Sequence, residues 1–413
     1  MRILLVSLYF PPQITSNGVL MQELCDKLCV FGHELTVITT FSAGMNGSGQ
    51  GGWSIGLAGW ETRERLRILR LRIPAFHGSE SFAARAVGYL AFNILSLIAG
   101  LLMGSQDVVF TLSPPLTNGV VSWLIGRFKG IPSVYNVQDL VPEAYIQFGV
   151  LKSSVSITLF ERLEKLVYRN NTHISVISDS FREHLMRKNV PEPKIDVIPN
   201  FVDVGRIIAL PRHNELSQRL DLEGRFVVMH AGSIAFRHGV EIMVDVAQLL
   251  LDEPAILFLV VGDGSKRRAI EERARAANLP NFRMLPYLPR EDLPLLRACA
   301  DVQMIVLRRG MTSHSVPSKV YEIMASARPF VAAVDEGSTI WDLAREAECG
   351  LVVPPESPEV IAHAIQALYR DRHLARRLGE NGRRFAVERY SCQAVAEQYD
   401  KVFRRLVSQG KSK

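Results

Sequence analysis

Apolar positions along the chain switch between two periods. Short apolar runs bounded by turn residues read as buried strands over Ile3–Phe10, Leu35–Thr40, Val108–Leu112, Ser133–Val137, His173–Ile177 and Lys194–Ile198. Helical spacing fills the gaps. Leu20, Leu24 and Leu28, with Met21 and Cys25 beside them, form one stripe that ends at Gly32. From Ser42 to Trp60 glycine and serine dominate, which predicts a loop. A poorly periodic stretch to about Gly224 reads as a linker. A second alternating series follows, with strands at Phe226–His230, Ile256–Val261, Phe282–Leu285, Val302–Leu307, Phe330–Ala333 and Leu351–Val353. No repeat of solenoid length occurs. Two doubly wound α/β domains with parallel sheets are the economical solution, because βαβ crossovers favour helices on both faces. Such sheets bind ligands at the carboxyl ends of their strands, so two facing domains create a cleft.

Three segments raise the question of a membrane. Met1–Phe10 has the apolar run of a short leader but is followed by Pro11-Pro12 and no small-residue cleavage site, so a first strand is the better reading. Ala86–Gly104 holds nineteen residues without a charge, near the length of a bilayer span. Asn93 and Ser96 interrupt it and a strand follows at once. It reads as a buried helix or as a helix lying on a membrane surface. Arg65, Arg67, Arg70 and Arg72 alternate with apolar residues, a pattern that predicts arginines on one face of a strand. That face is either a charge-protected sheet edge or a contact for anionic headgroups.

Composition narrows the field. The 413 residues are enough for two domains, and 47% hydrophobic with 22% charged residues excludes global disorder. A net charge of +6 is mild, calls for no nucleic acid, and fits an anionic substrate or lipid surface. Five cysteines without regular spacing fit a reducing compartment. No His-Glu-x-x-His, Cys-x-x-Cys or Asp-x-Asp occurs, so no metal and no cofactor is expected. Gly-x-Ser-x-Gly and phosphate-loop motifs are missing too.

Candidate chemistry sits at the strand ends. The first βα turn lacks the dinucleotide fingerprint, but Asn17-Gly18 permits close backbone approach to an anion or a sugar. His230–Gly239 brackets Arg237 with glycines ahead of a helix, and Gly262-Asp263-Gly264 ends a strand. Pro317 suits a first helical turn. Lys319 and Glu322 then share one face. An ammonium there neutralises phosphate, and a carboxylate accepts two bonds from vicinal ribose hydroxyls. The same pair also reads as a plain surface ion pair.

Together these residues resemble the retaining family 4 glycosyltransferases of the GT-B fold, over nearly the whole chain. The branch that transfers amino sugars such as N-acetylfucosamine in O-antigen or capsule assembly is the most similar. The resemblance is carried by Tyr9-Phe10-Pro11-Pro12 with Asn17-Gly18, Gly32-His33-Glu34-Leu35, Ser113-Pro114-Pro115-Leu116-Thr117 and Gln138-Asp139-Leu140-Val141-Pro142-Glu143. Pro199-Asn200 leading to Asp203, Gly262-Asp263-Gly264, Ala300-Asp301-Val302 and Val316–Glu322 complete it. It implies an acceptor-binding domain over 1–203, a linker over 204–224 and a nucleotide-sugar domain over 225–390. A closing helix within 391–413 packs back on the first domain, and a hinge near Asn200–Gly205 closes the cleft.

By the same resemblance Glu322 binds the ribose, while Lys319 and Arg237 face the diphosphate. Gly262, Gly264, Tyr287 and Ser318 join the donor side, Asn17 and Gly18 the acceptor side, and Asp139 and His314 take catalytic places. The implied substrates are a nucleoside-diphosphate sugar, with UDP as carrier, and a lipid-linked or polysaccharide acceptor. The implied location is the cytoplasm or the cytoplasmic face of the inner membrane. Basic side chains and a helix N-terminus replace a metal in holding the departing diphosphate.

The chain departs from the family pattern in four places. His314 stands where the first carboxylate of Glu-x7-Glu is usual, and Gln138 where a histidine is common. Pro199-Asn200-Phe201 replaces Pro-Asn-Gly, and Arg237-His238-Gly239 replaces Lys-Gly. Two rival readings follow, a nucleotide-sugar epimerase of the same architecture and a non-catalytic sugar-nucleotide-binding subunit.

Overall fold

The computed structural model describes residues 1–13, 15–41, 58–73, 82–147, 151–311 and 317–411. The chain forms two compact units, Met1–Asn200 with Cys392–Lys413, and Phe201–Ser391.

In the first unit the elements run β1 (Arg2–Val6), α1 (Ser16–Val30), β2 (Glu34–Thr40), β3 (Ala58–Arg63), β4 (Leu66–Leu71), α2 (Phe82–Leu102) and β5 (Val108–Leu112). They continue as α3 (Asn118–Lys129), β6 (Ser133–Val137), α4 (Glu143–Gln147), α5 (Ser154–Asn170), β7 (His173–Val176), α6 (Asp179–Arg187) and β8 (Ile195–Val197). The strands make one sheet in the order β3-β4-β2-β1-β5-β6-β7-β8, parallel except for β3. Leu4 pairs with Val109 on one face and Leu5 with Phe110 on the other. The first face closes on α2 and α3 through Val6, Ile38, Phe92, Val121 and Ile125.

The second unit runs α7 (Glu215–Arg219), β9 (Phe226–Ala231), α8 (Ile242–Leu249), β10 (Ile256–Val261), α9 (Arg267–Ala276), β11 (Phe282–Leu285), α10 (Leu293–Ala298) and β12 (Val302–Val306). Then come α11 (Lys319–Ala325), β13 (Phe330–Ala333), α12 (Thr339–Ala347), β14 (Gly350–Val353), α13 (Pro358–Arg370) and α14 (Arg372–Arg389). Its sheet, β11-β10-β9-β12-β13-β14, is wholly parallel. Continuous apolar runs such as Ile256–Val261 are buried along their length, as strands covered on both faces must be.

The last helix, α15 (Cys392–Lys411), belongs to the first unit. It lies beside α1, and Phe403 meets Phe110 edge-on at 5.5 Å within a trio completed by Tyr399, 5.2 Å from Phe110 and 5.8 Å from Phe403. His33 Nε2 is 2.7 Å from Asp400, and Asn136 donates to the Tyr399 hydroxyl at 3.1 Å.

Four expectations change. The loop expected over 42–60 gives way at Ala58 to β3, an antiparallel edge strand whose Trp60 carries the Arg67 guanidinium at 4.7 Å; residues 42–57 lie outside the described ones. The arginines do not share a face: Arg67 is exposed, but Arg70 is fully buried and donates to Glu61 at 3.1 Å and to the Pro11 carbonyl. The parity of 65 and 67 against 70 and 72 makes this unavoidable in a regular strand. The expected linker over 204–224 is packed into the second unit, with Ile207, Leu216 and Leu222 in its core. Finally, α2 is not wholly buried. Val87, Leu90, Ile94 and Ile98 stand half exposed along one stripe. Among the described residues no helix is long and apolar enough to cross a membrane.

Candidate active site

In the second unit the chemistry gathers at the carboxyl ends of β9, β10 and β12. Gly232 donates to the Val261 carbonyl at 2.9 Å and Ile234 to the Asp263 carbonyl at 2.8 Å, which zips the two loops together. Gly262 and Gly264 make that approach possible. Both have φ near +150°, and a Cβ on Gly262 would overlap the Gly232 carbonyl, while one on Gly264 would meet that of Ile234.

Lys319, the first residue of α11, sends its ammonium inward to His230 Nδ1 at 3.4 Å. Burial, with the charges of Arg297 and Arg237, pulls this ammonium down to about 7. Burial also drives His230 well below the ordinary histidine range and His238 down to about 3, and Lys319 pushes both the same way. Both imidazoles are therefore neutral. Arg237 Nε donates to His238 Nε2 at 3.2 Å, which leaves the proton of His238 on Nδ1. His230 Nε2 and His238 Nδ1 are both buried, and the Ser233 backbone acts on both rings. The result is a concentration of inward donors with almost no local negative charge. Such a place is poised for an anion.

Glu322, one turn along α11, supplies the exception. Arg297, buried at the end of α10, donates to Glu322 Oε2 at 2.7 Å and to Gln303 at 3.2 Å. Glu322 keeps 29% of its side chain exposed, so the carboxylate is held from behind and open in front. Ser318 sits half-buried just before α11, and Tyr287 stands 57% exposed after β11 with its hydroxyl on the Asp263 backbone. His314 lies outside the described residues. Arg297, His230 and His238 carry no part in the sequence expectations. Two of them did leave a trace, since each is the lone charged or imidazole side chain in an apolar run, Leu293–Ala300 and Phe226–Ala231.

The first unit holds the acceptor-side candidates at the ends of β1 and β6. The Gly18 N–H is occupied by Thr15 Oγ1 at 3.1 Å as the cap of α1, and Asn17 is half-buried beside it. After β6, the Ser113 hydroxyl accepts from the Gln138 N–H at 2.9 Å and from the Asp139 N–H at 3.4 Å and fixes that turn. Asp139 is half-buried. Gln138 is buried in this turn. Its amide is paired both ways with Asn200, at 2.9 and 2.8 Å, and bonds Asn136 at 2.6 Å.

One group among the described residues has metal-ligand geometry: Glu143, Glu164 and His184 bring ligand atoms within 4.8 Å of one another. Lys188 already bonds both carboxylates. Against burial that acts upward, bonds from His184 and Lys188 hold Glu143 down to about 2, so the cluster is an internal ion-pair network.

Residues 18–200 match the family model of the glycosyl transferase 4-like domain, and residues 213–385 that of glycosyl transferases group 1. The chain is a glycosyltransferase. The enzyme is 24% identical over 387 residues to the protein named as colanic acid biosynthesis glycosyl transferase WcaI of Escherichia coli K12, covering 90% of this chain and 93% of that one. It is 24% identical over 300 residues to alpha-D-kanosaminyltransferase of Streptomyces kanamyceticus, covering 69% and 73%. Among solved structures it superposes on sucrose-phosphate synthase of Thermosynechococcus elongatus with a TM-score of 0.78, at 19% identity over 99% of this chain and all of that one. It also superposes on Anabaena HepE in complex with UDP at 0.74, with 15% identity over 98% and 100%. These likenesses fix the fold of the transferase as GT-B, with relatives that serve polysaccharide and lipopolysaccharide synthesis.

Proposed function

We propose that the enzyme moves a sugar, an N-acetylated amino sugar, from a uridine diphosphate carrier to a lipid-linked or polysaccharide acceptor, with retention of anomeric configuration. The observation that carries this reading is the half-buried Lys319 ammonium, set against the His230 imidazole, near Arg237 and one helical turn from the carboxylate of Glu322. A nucleoside diphosphate has the complementary order: two charged phosphates, then a ribose with vicinal hydroxyls. Lys319 and Arg237 take the phosphates, His238 Nδ1–H adds a neutral donor, and Glu322 accepts from the ribose. Gly232 leaves room beside Lys319, and Gly262 and Gly264 let the two loops close on each other.

As the bond to the sugar breaks, negative charge grows on the leaving diphosphate, and positive groups preorganised where it grows lower the barrier. Lys319 and Arg237 supply that charge without a metal. Retention follows if the acceptor hydroxyl attacks on the face the diphosphate leaves, with that phosphate taking the proton, so no protein nucleophile is required. Asp139 orients the acceptor. Solved relatives with UDP support the carrier, and a relative named for kanosamine supports an amino sugar. The relatives named above do not favour the epimerase and binding-subunit readings.

The test is incubation with radiolabelled UDP-sugars and bacterial membrane lipid. Labelled lipid or polysaccharide is expected. Isomerised sugar nucleotide, or no product with any donor, would overturn the reading.

A further inference from the structure

Lys319 and Glu322 share one face of α11, at a spacing where an ammonium and a carboxylate ordinarily meet. They do not meet. The Lys319 ammonium turns to His230 Nδ1 at 3.4 Å, and Glu322 turns to Arg297 at 2.7 Å. Arg297 stands in the last turn of α10 and is 3% exposed. A guanidinium from another helix has thus taken the partner that Lys319 would otherwise have.

That guanidinium is itself fixed. Its Nη1 donates to Gln303 Oε1 at 3.2 Å, and Gln303 Nε2 donates back to the Arg297 carbonyl at 3.2 Å. Gln303, on β12, is fully buried. A planar fork held on one prong by an amide offers the other prong in one direction only. It takes Glu322 Oε2 and leaves Oε1 without a partner among the described residues. An arginine also stays charged at every working pH, so the hold does not titrate. A buried ion pair is a poor source of stability, so the fold alone gives little reason to place one here.

We propose that Arg297 is the positioning residue of the donor site: it holds Glu322 away from Lys319, so that the carboxylate is left for the ribose and the ammonium for the diphosphate. The inference rests on the donor site proposed above. With an apolar side chain at 297 the carboxylate would swing to the ammonium one turn back, and a diphosphate would have to break that pair. Among the described residues, the charged groups facing Lys319 are Arg297 of α10, Arg237 ahead of α8 and Glu322 of its own helix, with the imidazoles of His230 and His238. Burial, then Arg297 and Arg237, draw the ammonium down, and Glu322 alone acts upward. Loss of Arg297 therefore lifts it twice over, because an opposing charge is gone and the carboxylate comes closer.

The test is calorimetry on the full chain, between about pH 6 and 9, with UDP and with 2′,3′-dideoxyuridine diphosphate, which lacks the vicinal hydroxyls. The wild type is expected to prefer UDP by about tenfold or more, the scale of hydrogen bonds to a charged group. In Arg297→Met that preference should shrink to about threefold or less, and the pH at which UDP affinity begins to fall should rise by about one unit. A variant that keeps the wild-type preference, or loses it with the pH profile unmoved, overturns the role of Arg297. Should Arg297→Met fail to fold, the double variant Arg297→Met/Glu322→Gln, which leaves no buried charge unpaired, is set against Glu322→Gln alone. The same upward move of the profile is expected there, and identical profiles overturn the role. A wild type that binds no UDP sinks the donor site as a whole, whereas a preference intact in both wild type and Arg297→Met sinks the positioning role alone.

Discussion

With its ammonium against a buried imidazole and two guanidinium charges nearby, Lys319 titrates near 7, and this couples donor binding to protons. At or below that pH the charged form is ready for the diphosphate. Above it, binding must draw a proton from solvent, and affinity is expected to fall by up to about tenfold per pH unit between pH 7 and 9. Calorimetry of UDP at pH 8 in two buffers of different ionisation heat should show proton uptake. Equal heats would mean that the lysine is already charged. Folding runs the other way. Between about 7 and 10.5 the unfolded chain holds a proton that folded Lys319 has shed, so this group makes stability rise with pH there. For Glu322, replacement by alanine removes the ribose acceptor and also strips buried Arg297 of its carboxylate. Donor affinity should drop by roughly 1–3 kcal/mol, the scale of charged hydrogen bonds, together with a lower thermal midpoint. Glu322→Gln should restore the midpoint more than the affinity. Unchanged UDP affinity in both variants would remove the residue from the site. At this scale the three-residue spacing of Lys319 and Glu322 was readable in advance. Their partners were not, because Arg297 lies 25 residues from Glu322 and His230 89 residues from Lys319.

Among the elements, the parallel strands were the most legible, since a strand covered on both faces must be apolar throughout. Strand β3 was not: Ala58-Gly-Trp-Glu-Thr-Arg63 is a mostly exposed edge and obeys no burial pattern. The path of α15 was equally hidden in the residue pattern. Its apolar stripe reads as any amphipathic helix, and only the family resemblance pointed to the distant partner it covers. Val395, Tyr399, Phe403 and Leu406 are buried. Phe403→Ala should therefore cost about 3–5 kcal/mol by the scale for emptied aromatic sites, read from urea unfolding. A loss below 1 kcal/mol would show that α15 is only loosely docked.

For the whole molecule, a surplus of +6 meets an uncovered aliphatic stripe on α2. Sedimentation with vesicles should increase with the fraction of anionic lipid and weaken as salt shortens the Debye length from about 30 Å at 0.01 M to about 8 Å at 0.15 M. Failure to sediment with anionic vesicles at low salt would count against lipid docking. The division of the chain into two α/β bodies was clear from the alternation of periods. The stretch 204–224 misled because its few core residues are spaced too irregularly to announce an element.

One consequence concerns how the chain enters and leaves the body formed by Phe201–Ser391. Val202 donates to the Tyr390 carbonyl at 2.9 Å and pairs with Ser391 as a single bridge. Entry and exit are therefore neighbours, and that body is an inserted cassette with one splice point. It should be transplantable: exchanging this interval for the same interval of a relative asks two adjacent peptide bonds to fit, and donor preference would travel with the graft.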